Sequence, residues 1–221
     1  MKRILVFGDS NSWGYTDEDN GQRYEKRWPV LLNQELIQKG FNTEIIEDCL
    51  PGRTTNIDDP QDGIHLNGAK VLKSSLLSHS PIDLVILMLG TNDLKFRFQR
   101  TAENIADGIK ELIQIVLDTN SGSGGWHDVN KSNLVVICPP SLGEKSYDPN
   151  WINFKEWEGG LEKSTELHFS FEKVCSQMGV HLIDANEFCQ SSSIDPIHWS
   201  KKMHLKFSEN LANIIDQKIK L

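Results

Sequence analysis

Four short segments of this chain carry groups that could act together on a carbonyl. Gly8-Asp9-Ser10-Asn11-Ser12 follows an apolar run, so Ser10 would stand at a strand-to-helix turn. Such a turn exposes a hydroxyl as a nucleophile and aims the following backbone N–H groups at an oxyanion. The same residues could equally form a turn in which Asp9 or Ser10 caps backbone amides. In Cys49-Leu50-Pro51-Gly52-Arg53 the glycine lets an N–H approach a ligand closely, or simply makes a Pro-Gly turn. Gly90-Thr91-Asn92-Asp93 offers the Asn92 amide as a neutral oxyanion donor, or an Asx turn before a helix. Asp195-Pro196-Ile197-His198 sets a carboxylate three residues before an imidazole, where it can orient the ring for proton transfer, or lies in a solvated loop. Each segment alone is ambiguous. Together they supply a nucleophile, two oxyanion donors, a base and its orienter, with no role doubled or missing.

Those groups cooperate only if the fold brings them together, and the hydrophobic pattern says how. Apolar runs at 3–7, 43–48, 84–89, 133–137 and 180–183 are continuous instead of alternating, as in strands covered on both faces. Helical patterns separate them at 26–39, 67–78, 101–117 and Gly160–Met178, and a last one runs over 200–220. In that last segment Met203, Phe207, Leu211, Ile214 and Ile215 share one stripe, with Ser200 as its N-cap. Strand–helix alternation predicts a doubly wound α/β sandwich with a parallel sheet and right-handed crossovers. Ligands of such sheets bind beyond the carboxyl ends of the strands, which is where the four segments fall. Residues 119–131 are Gly/Ser-rich and predict a loop. Residues 139–159 are long and aromatic, and a connection of that length often serves as a lid; Trp151, Phe154 and Trp157 are its lid candidates, or else a packing helix. No repeat, charge block or linker divides the chain, so one domain is expected over residues 1–221.

With these segments in place, the sequence resembles the GDSL/SGNH hydrolase family. The four family blocks stand as Gly8-Asp9-Ser10, Gly52, Gly90-Thr91-Asn92-Asp93 and Asp195-Pro196-Ile197-His198, in the family's order. Within the family it is most similar to the arylesterase/acyltransferase subgroup, through KRILVFGDSNSWG at 2–14, Arg27-Trp28, RTTNIDDP at 53–60, Leu66-Asn67-Gly68, DLVILMLGTND at 83–93 and Glu158-Gly159-Gly160. The resemblance implies a three-layer α/β/α fold with flavodoxin-like strand order 2-1-3-4-5, and a serine esterase of small acyl esters that needs no metal or organic cofactor. It implies Ser10 as nucleophile, the Ser10 and Gly52 N–H groups and the Asn92 amide as oxyanion hole, His198 as base and Asp195 as its orienter. Asp9, Trp13, Arg53 and Thr91 become the candidates to bind substrate. Some members of the subgroup pass the acyl group to alcohols or peroxide, and a homo-oligomer is expected by the same analogy. Asn11 departs from the motif's leucine and lies outside the chemical roles, so it is expected to alter only packing or the pocket wall.

Rival assignments are weaker on the residues themselves. His204 lies inside the last helical pattern, and Ser12 two residues further into the turn. Cys138 has no histidine assigned to it and is followed by two prolines, which favours a buried, inert thiol. A non-catalytic binding module would have lost one of Ser10, Asn92, Asp195 or His198. A phosphoacceptor domain using Asp9 would want clustered carboxylates at the first strand and a lysine near the end of the fifth, and neither is present. A thioesterase, lysophospholipase or carbohydrate deacetylase would use the same groups, so the acyl chemistry does not separate these. With 23 basic against 31 acidic residues the net charge is −8, which argues against a nucleic-acid face. No apolar run reaches the roughly 18 residues of a membrane span. The first ten residues lack the apolar core and cleavage site of an export signal, the four cysteines form no CxxC pair, and a cytoplasmic protein with reduced thiols is expected.

Overall fold

The computed structural model describes residues 1–219. Among them, β1 (Lys2–Gly8), β2 (Thr43–Cys49), β3 (Leu84–Met88), β4 (Asn133–Cys138) and β5 (His181–Asp184) form one parallel sheet in the order β2-β1-β3-β4-β5. The connections contain α1 (Ser10–Trp13), α2 (Trp28–Gln38), α3 (Gly68–His79), α4 (Ala102–Asp118), α5 (Phe154–Trp157) and α6 (Gly160–Met178), and α7 (Lys201–Lys218) follows β5. Lys220, where the last helical pattern was expected to end, lies outside the described residues.

Strand residues alternate between two buried layers because successive side chains leave a strand on opposite faces. Leu5, Phe7, Val85, Leu87 and Val136 meet Leu72, Ile109 and Phe171 of α3, α4 and α6. Ile4, Val6, Ile86, Met88 and Ile137 meet Trp28 and Leu32 of α2 and Phe207 and Leu211 of α7. Both faces are covered, which is why the runs are apolar throughout. In the second layer Phe207 packs edge-on to Trp28 at 5.0 Å and against Trp199 at 4.7 Å, so α7 is seated through the residue that follows His198. Ser200 caps α7 by accepting from the Met203 N–H.

Boundaries differ from the sequence reading where a terminating device competes with the apolar run. Val180 belongs to the fifth apolar run, yet its N–H closes the end of α6 on the Cys175 carbonyl, after Gly179 turns the chain at φ +66°. Leu89 leaves β3 because Gly90, at φ +124°, redirects the backbone into the next loop. The 139–159 stretch, expected as a loop, contains a 3-10 turn at Glu144–Tyr147 and the short α5. Residues 119–131 do form a loop, drawn closed by the Gly122 N–H on the Asn130 carbonyl.

The tightest turn joins β1 to α1. A Cβ on Gly8 would run into the Ser12 side chain, so only glycine lets the helix begin so soon after the strand. Asp9 caps α1, its carboxylate accepting from the Asn11 N–H at 3.0 Å. It is buried, and burial pushes its pKa from 3.8 up to about 6 against the pull of that hydrogen bond. The folded form therefore holds the Asp9 proton more tightly than the unfolded chain. Stability from this group is complete below about pH 3.8 and is lost as pH rises through about 6. Asp9→Asn keeps an oxygen for the Asn11 N–H and removes the titration. Its denaturant midpoint should gain on that of the wild type from about pH 4 upward and level off above about pH 7. A midpoint difference that stays flat across that range would show that Asp9 ionises normally in the fold.

Candidate active site

The connections after β1, β2, β3 and β5 meet at one cavity of about 250 Å³, lined among others by Ser10, Gly52, Asn92, Asp195 and His198. Ser10 opens α1, and the N–H of a helix's first residue has no helical acceptor. Gly14 ends the turn at φ +96°, and both its N–H and that of Tyr15 donate to the Ser10 carbonyl at 3.0 Å.

The loop after β2 brings Gly52 to the cavity at φ +86°, a left-handed conformation that favours glycine. The loop after β3 brings Asn92, and the two loops are joined by buried bonds. The Asn92 amide donates to the Arg53 carbonyl at 3.1 Å, which fixes the side chain and leaves it a second N–H to offer the cavity. Fully buried Asp93 accepts from the Thr55 N–H at 2.9 Å, the Thr55 hydroxyl at 2.6 Å and Arg100 at 2.7 Å. Burial pushes the Asp93 carboxyl above its ordinary range while Arg100 pulls it back.

His198 arrives on the loop between β5 and α7. Its Nε2 lies 3.0 Å from Ser10 Oγ and its Nδ1 lies 2.6 Å from Asp195 Oδ2. Asp195 Oδ1 accepts from the Ile197 N–H at 2.8 Å and the His198 N–H at 3.3 Å. Burial alone would raise the Asp195 pKa, but the hydrogen bond and charge of His198 with these backbone donors hold it below 3.8. An ionised Asp195 accepts from Nδ1–H, and that tautomer leaves Nε2 free to accept from the serine hydroxyl. The Tyr15 ring lies over His198 at 4.1 Å between centroids. Burial and the nearby Asp195 push the Tyr15 phenol up, so it faces the site neutral.

The other sequence candidates lie elsewhere. Asp9 sits beneath the turn as the cap of α1. Thr91, also buried, precedes the 3-10 turn that carries Asn92. Arg53 is buried, bonded to the Asp48 side chain and carbonyl and to the Gly8 carbonyl, with its guanidinium 4.0 Å over the Phe7 ring. It braces the ends of β1 and β2. Trp13 is half-buried under the Arg23 guanidinium. None of these four lines the cavity. Of the rivals, Ser12 is fully buried behind Gly8. His204 is buried with its Nδ1 accepting from the Trp28 N–H at 3.2 Å, and burial lowers its pKa to about 4. The Cys138 thiol is buried and pushed well above its ordinary pKa, as are those of Cys175 and Cys189, up to about 12. Cys49 is half-buried, and all four thiols are free.

Sequence reasoning missed the remaining wall: Tyr15, Lys95, Asn153 and Glu156. Lys95 pairs with Glu156 at 3.2 Å, and Glu156 also accepts from Arg97 at 2.7 Å. Asn153 and Glu156 stand in the aromatic 139–159 stretch. Of its aromatics, Trp157 is buried and lines the cavity, and half-buried Trp151 packs against the core. The signal was the i, i+3 spacing of two polar residues around α5. A larger groove of about 480 Å³ between α4 and α6, lined by Glu103, Lys110, Phe169 and Lys173, brings no comparable nucleophile–base pair to its walls. Among the described residues no group of three or more His, Cys, Asp or Glu side chains is arranged to hold a metal ion, and no helix is long and apolar enough to cross a membrane.

A family model for the GDSL-like lipase/acylhydrolase family matches residues 6–206. Over 147 residues the chain is 29% identical to an arylesterase of Vibrio mimicus, a match that takes in 66% of this chain. It spans only 60% of that curated relative's length. Among solved structures, an inhibitor-bound aryl esterase of M. smegmatis superposes with a TM-score of 0.86 at 38% identity, over 98% of this chain and 99% of that one. A carbohydrate acetylesterase from Sinorhizobium meliloti superposes with a TM-score of 0.87 at 35% identity, with the same coverage of each chain. The family match runs over all of Ser10, Gly52, Asn92, Asp195 and His198, and the relatives of known structure are covered almost end to end. The chain belongs to the GDSL-like lipase/acylhydrolase family.

Proposed function

We propose that this protein hydrolyses short-chain carboxylic esters through an acyl-Ser10 intermediate. The observation that carries the reading is the unbroken chain from Ser10 Oγ to His198 Nε2 at 3.0 Å and from His198 Nδ1 to Asp195 at 2.6 Å, opening on the cavity that Gly52 and Asn92 also line. His198 takes the Ser10 proton as Oγ adds to the ester carbonyl. The oxyanion that forms accepts from the Ser10 and Gly52 N–H groups and the Asn92 amide. Collapse returns the proton through His198 to the departing alcohol and leaves the acyl group on Ser10. Water, deprotonated by His198, then adds to the acyl carbon and releases the acid. Asp195 holds the ring tautomer and stabilises the imidazolium, and it stays ionised throughout. An alcohol or peroxide that enters in place of water would take the acyl group by the same route, and the site has the groups for either outcome.

The wall favours a small acyl group on a polar alcohol. A volume of about 250 Å³ falls below the roughly 300–1,000 Å³ of sites for drug-sized ligands. Lys95, Asn153 and Glu156 present charged and amide groups to it, which suit a hydroxyl-bearing leaving group more than a long alkyl chain. Similarity to a carbohydrate acetylesterase supports the same substrate class.

Two sets of measurements check this. On p-nitrophenyl acetate, Ser10→Ala should lose nearly all turnover, Asn92→Ala about 100- to 1,000-fold in kcat, and Asp195→Asn about 10,000-fold. Full activity in Ser10→Ala would place the nucleophile elsewhere. Across acetate, butyrate and octanoate esters kcat/KM should fall with chain length, and a preference for octanoate would contradict the small acyl site. On an acetylated sugar Glu156→Gln should lose about ten- to a hundred-fold in kcat/KM, the worth of a hydrogen bond to a charged group. On p-nitrophenyl acetate the same variant should stay within about threefold of wild type. Equal losses on both esters would remove Glu156 from leaving-group recognition.

A further inference from the structure

Asn11 follows Ser10 in the chain and stands where the GDSL motif has leucine. It is 2% exposed, and both ends of its side-chain amide are used. Its Nδ2 donates to the Ile197 carbonyl at 3.2 Å, and its Oδ1 accepts from the Trp199 N–H at 3.2 Å. These are the two residues that flank His198. The pair of bonds also fixes which way the amide points, since only one orientation satisfies both groups. The Asn11 N–H is itself tied to Asp9 at 3.0 Å.

Other bonds on the histidine loop act within it or reach it from elements other than the nucleophile's turn, as the Gly143 N–H does to the Pro196 carbonyl at 2.8 Å and Lys145 to the Ile194 carbonyl at 2.6 Å. Asp195 and Ser192 close it upon itself, and Lys201 ties the start of α7 to Glu18 and Asp19. Tyr15 touches the ring without a hydrogen bond. Among the described residues, and apart from the Ser10–His198 bond, the amide of Asn11 is the polar link from the nucleophile's turn to the backbone on either side of the base. A leucine could fill the space but could neither donate to Ile197 nor accept from Trp199. We propose that Asn11 is a positioning residue that clamps the His198 loop onto the α1 turn and so sets the distance between Ser10 Oγ and His198 Nε2. This extends the ester-hydrolase reading and rests on it for its kinetic consequence. Because Asn11 does not line the cavity, loss of the clamp acts on the proton transfer and leaves substrate binding alone.

Asn11→Leu tests this on p-nitrophenyl acetate, with wild type and Ser10→Ala measured in parallel. The expected result is a kcat lower by about 100-fold, the cost of misplacing a reacting group by about an ångström, with KM within about twofold. The low-field proton resonance of His198 Nδ1–H, which a short bond to ionised Asp195 produces, should broaden or move in the variant. A folded Asn11→Leu with kcat within about twofold of wild type and an unchanged resonance would overturn the proposal. If wild type turns over no ester, the hydrolase reading fails, and the resonance still decides the clamp. Asn11→Ser, too short to reach both partners, is read in its place if the leucine variant does not fold. Hydrogen exchange of the Trp199 N–H in wild type gives a further reading without any variant. Protection is expected, and exchange at the rate of an open loop would overturn the clamp.

Discussion

A 3.0 Å contact between Ser10 Oγ and His198 Nε2 joins residues 188 positions apart, so only long-range structure can bring the two together. The parallel sheet does so first, by sending the carboxyl ends of β1, β2, β3 and β5 to one edge. Register then matters at the scale of a single residue: Gly8 is level with Cys49 on one side and Met88 on the other, so the loops that carry Ser10, Gly52 and Asn92 leave the sheet together. The last step belongs to α7, whose seating through Trp199 and Phe207 brings the histidine loop down onto the nucleophile turn.

Around that contact the protein buries Asp9, Asn11, Arg53 and Asp93, and buried polar groups are stabilised by the partners they find. Asp93 gathers Thr55 and Arg100, Arg53 gathers the ends of two strands, and Asn11 gathers Ile197 and Trp199. Each of these ties one strand-end loop to another. Gly52, Asn92 and His198 are thereby held in fixed positions, which is what electrostatic preorganisation of the proposed hydrolysis requires, since donors that had to move into place would lose much of their effect. Asp9 is the costly member of the set. Its carboxylate caps α1 from a buried position and titrates near pH 6 as a result.

Much of this was legible in the sequence because it rests on local signals. Continuous apolar runs mark the strands to within a residue, Ser10 and Asn92 stand just beyond two of them, and Asp195 and His198 lie in the connection after the fifth. What was not legible depended on three-dimensional neighbours. Val180 is as apolar as any strand residue, yet the carbonyl left open at the end of α6 claims its N–H. Arg53 is a candidate ligand-binding cation by sequence, but the Asp48 side chain and the carbonyls of Asp48 and Gly8 take its guanidinium inward. Asn11 read as a tolerated departure from a motif, because its partners lie 186 and 188 residues away. Lys95 and Glu156 gave no sign of facing the same cavity, since only the packing of α5 against the loop after β3 brings them together.

The central claim is that the acyl group rests on Ser10, and trapping it there is the most direct test. The protein would be mixed with p-nitrophenyl acetate, quenched in acid within the first turnovers, and digested with trypsin. Peptide 4–23, which contains both Ser10 and Ser12, would then be sequenced by tandem mass spectrometry. The account predicts an acetyl group on Ser10 that appears with the burst of p-nitrophenol and is absent from Ser10→Ala. Acetyl carried on Ser12 or on any other residue, with Ser10 unmodified while the ester turns over, would contradict it.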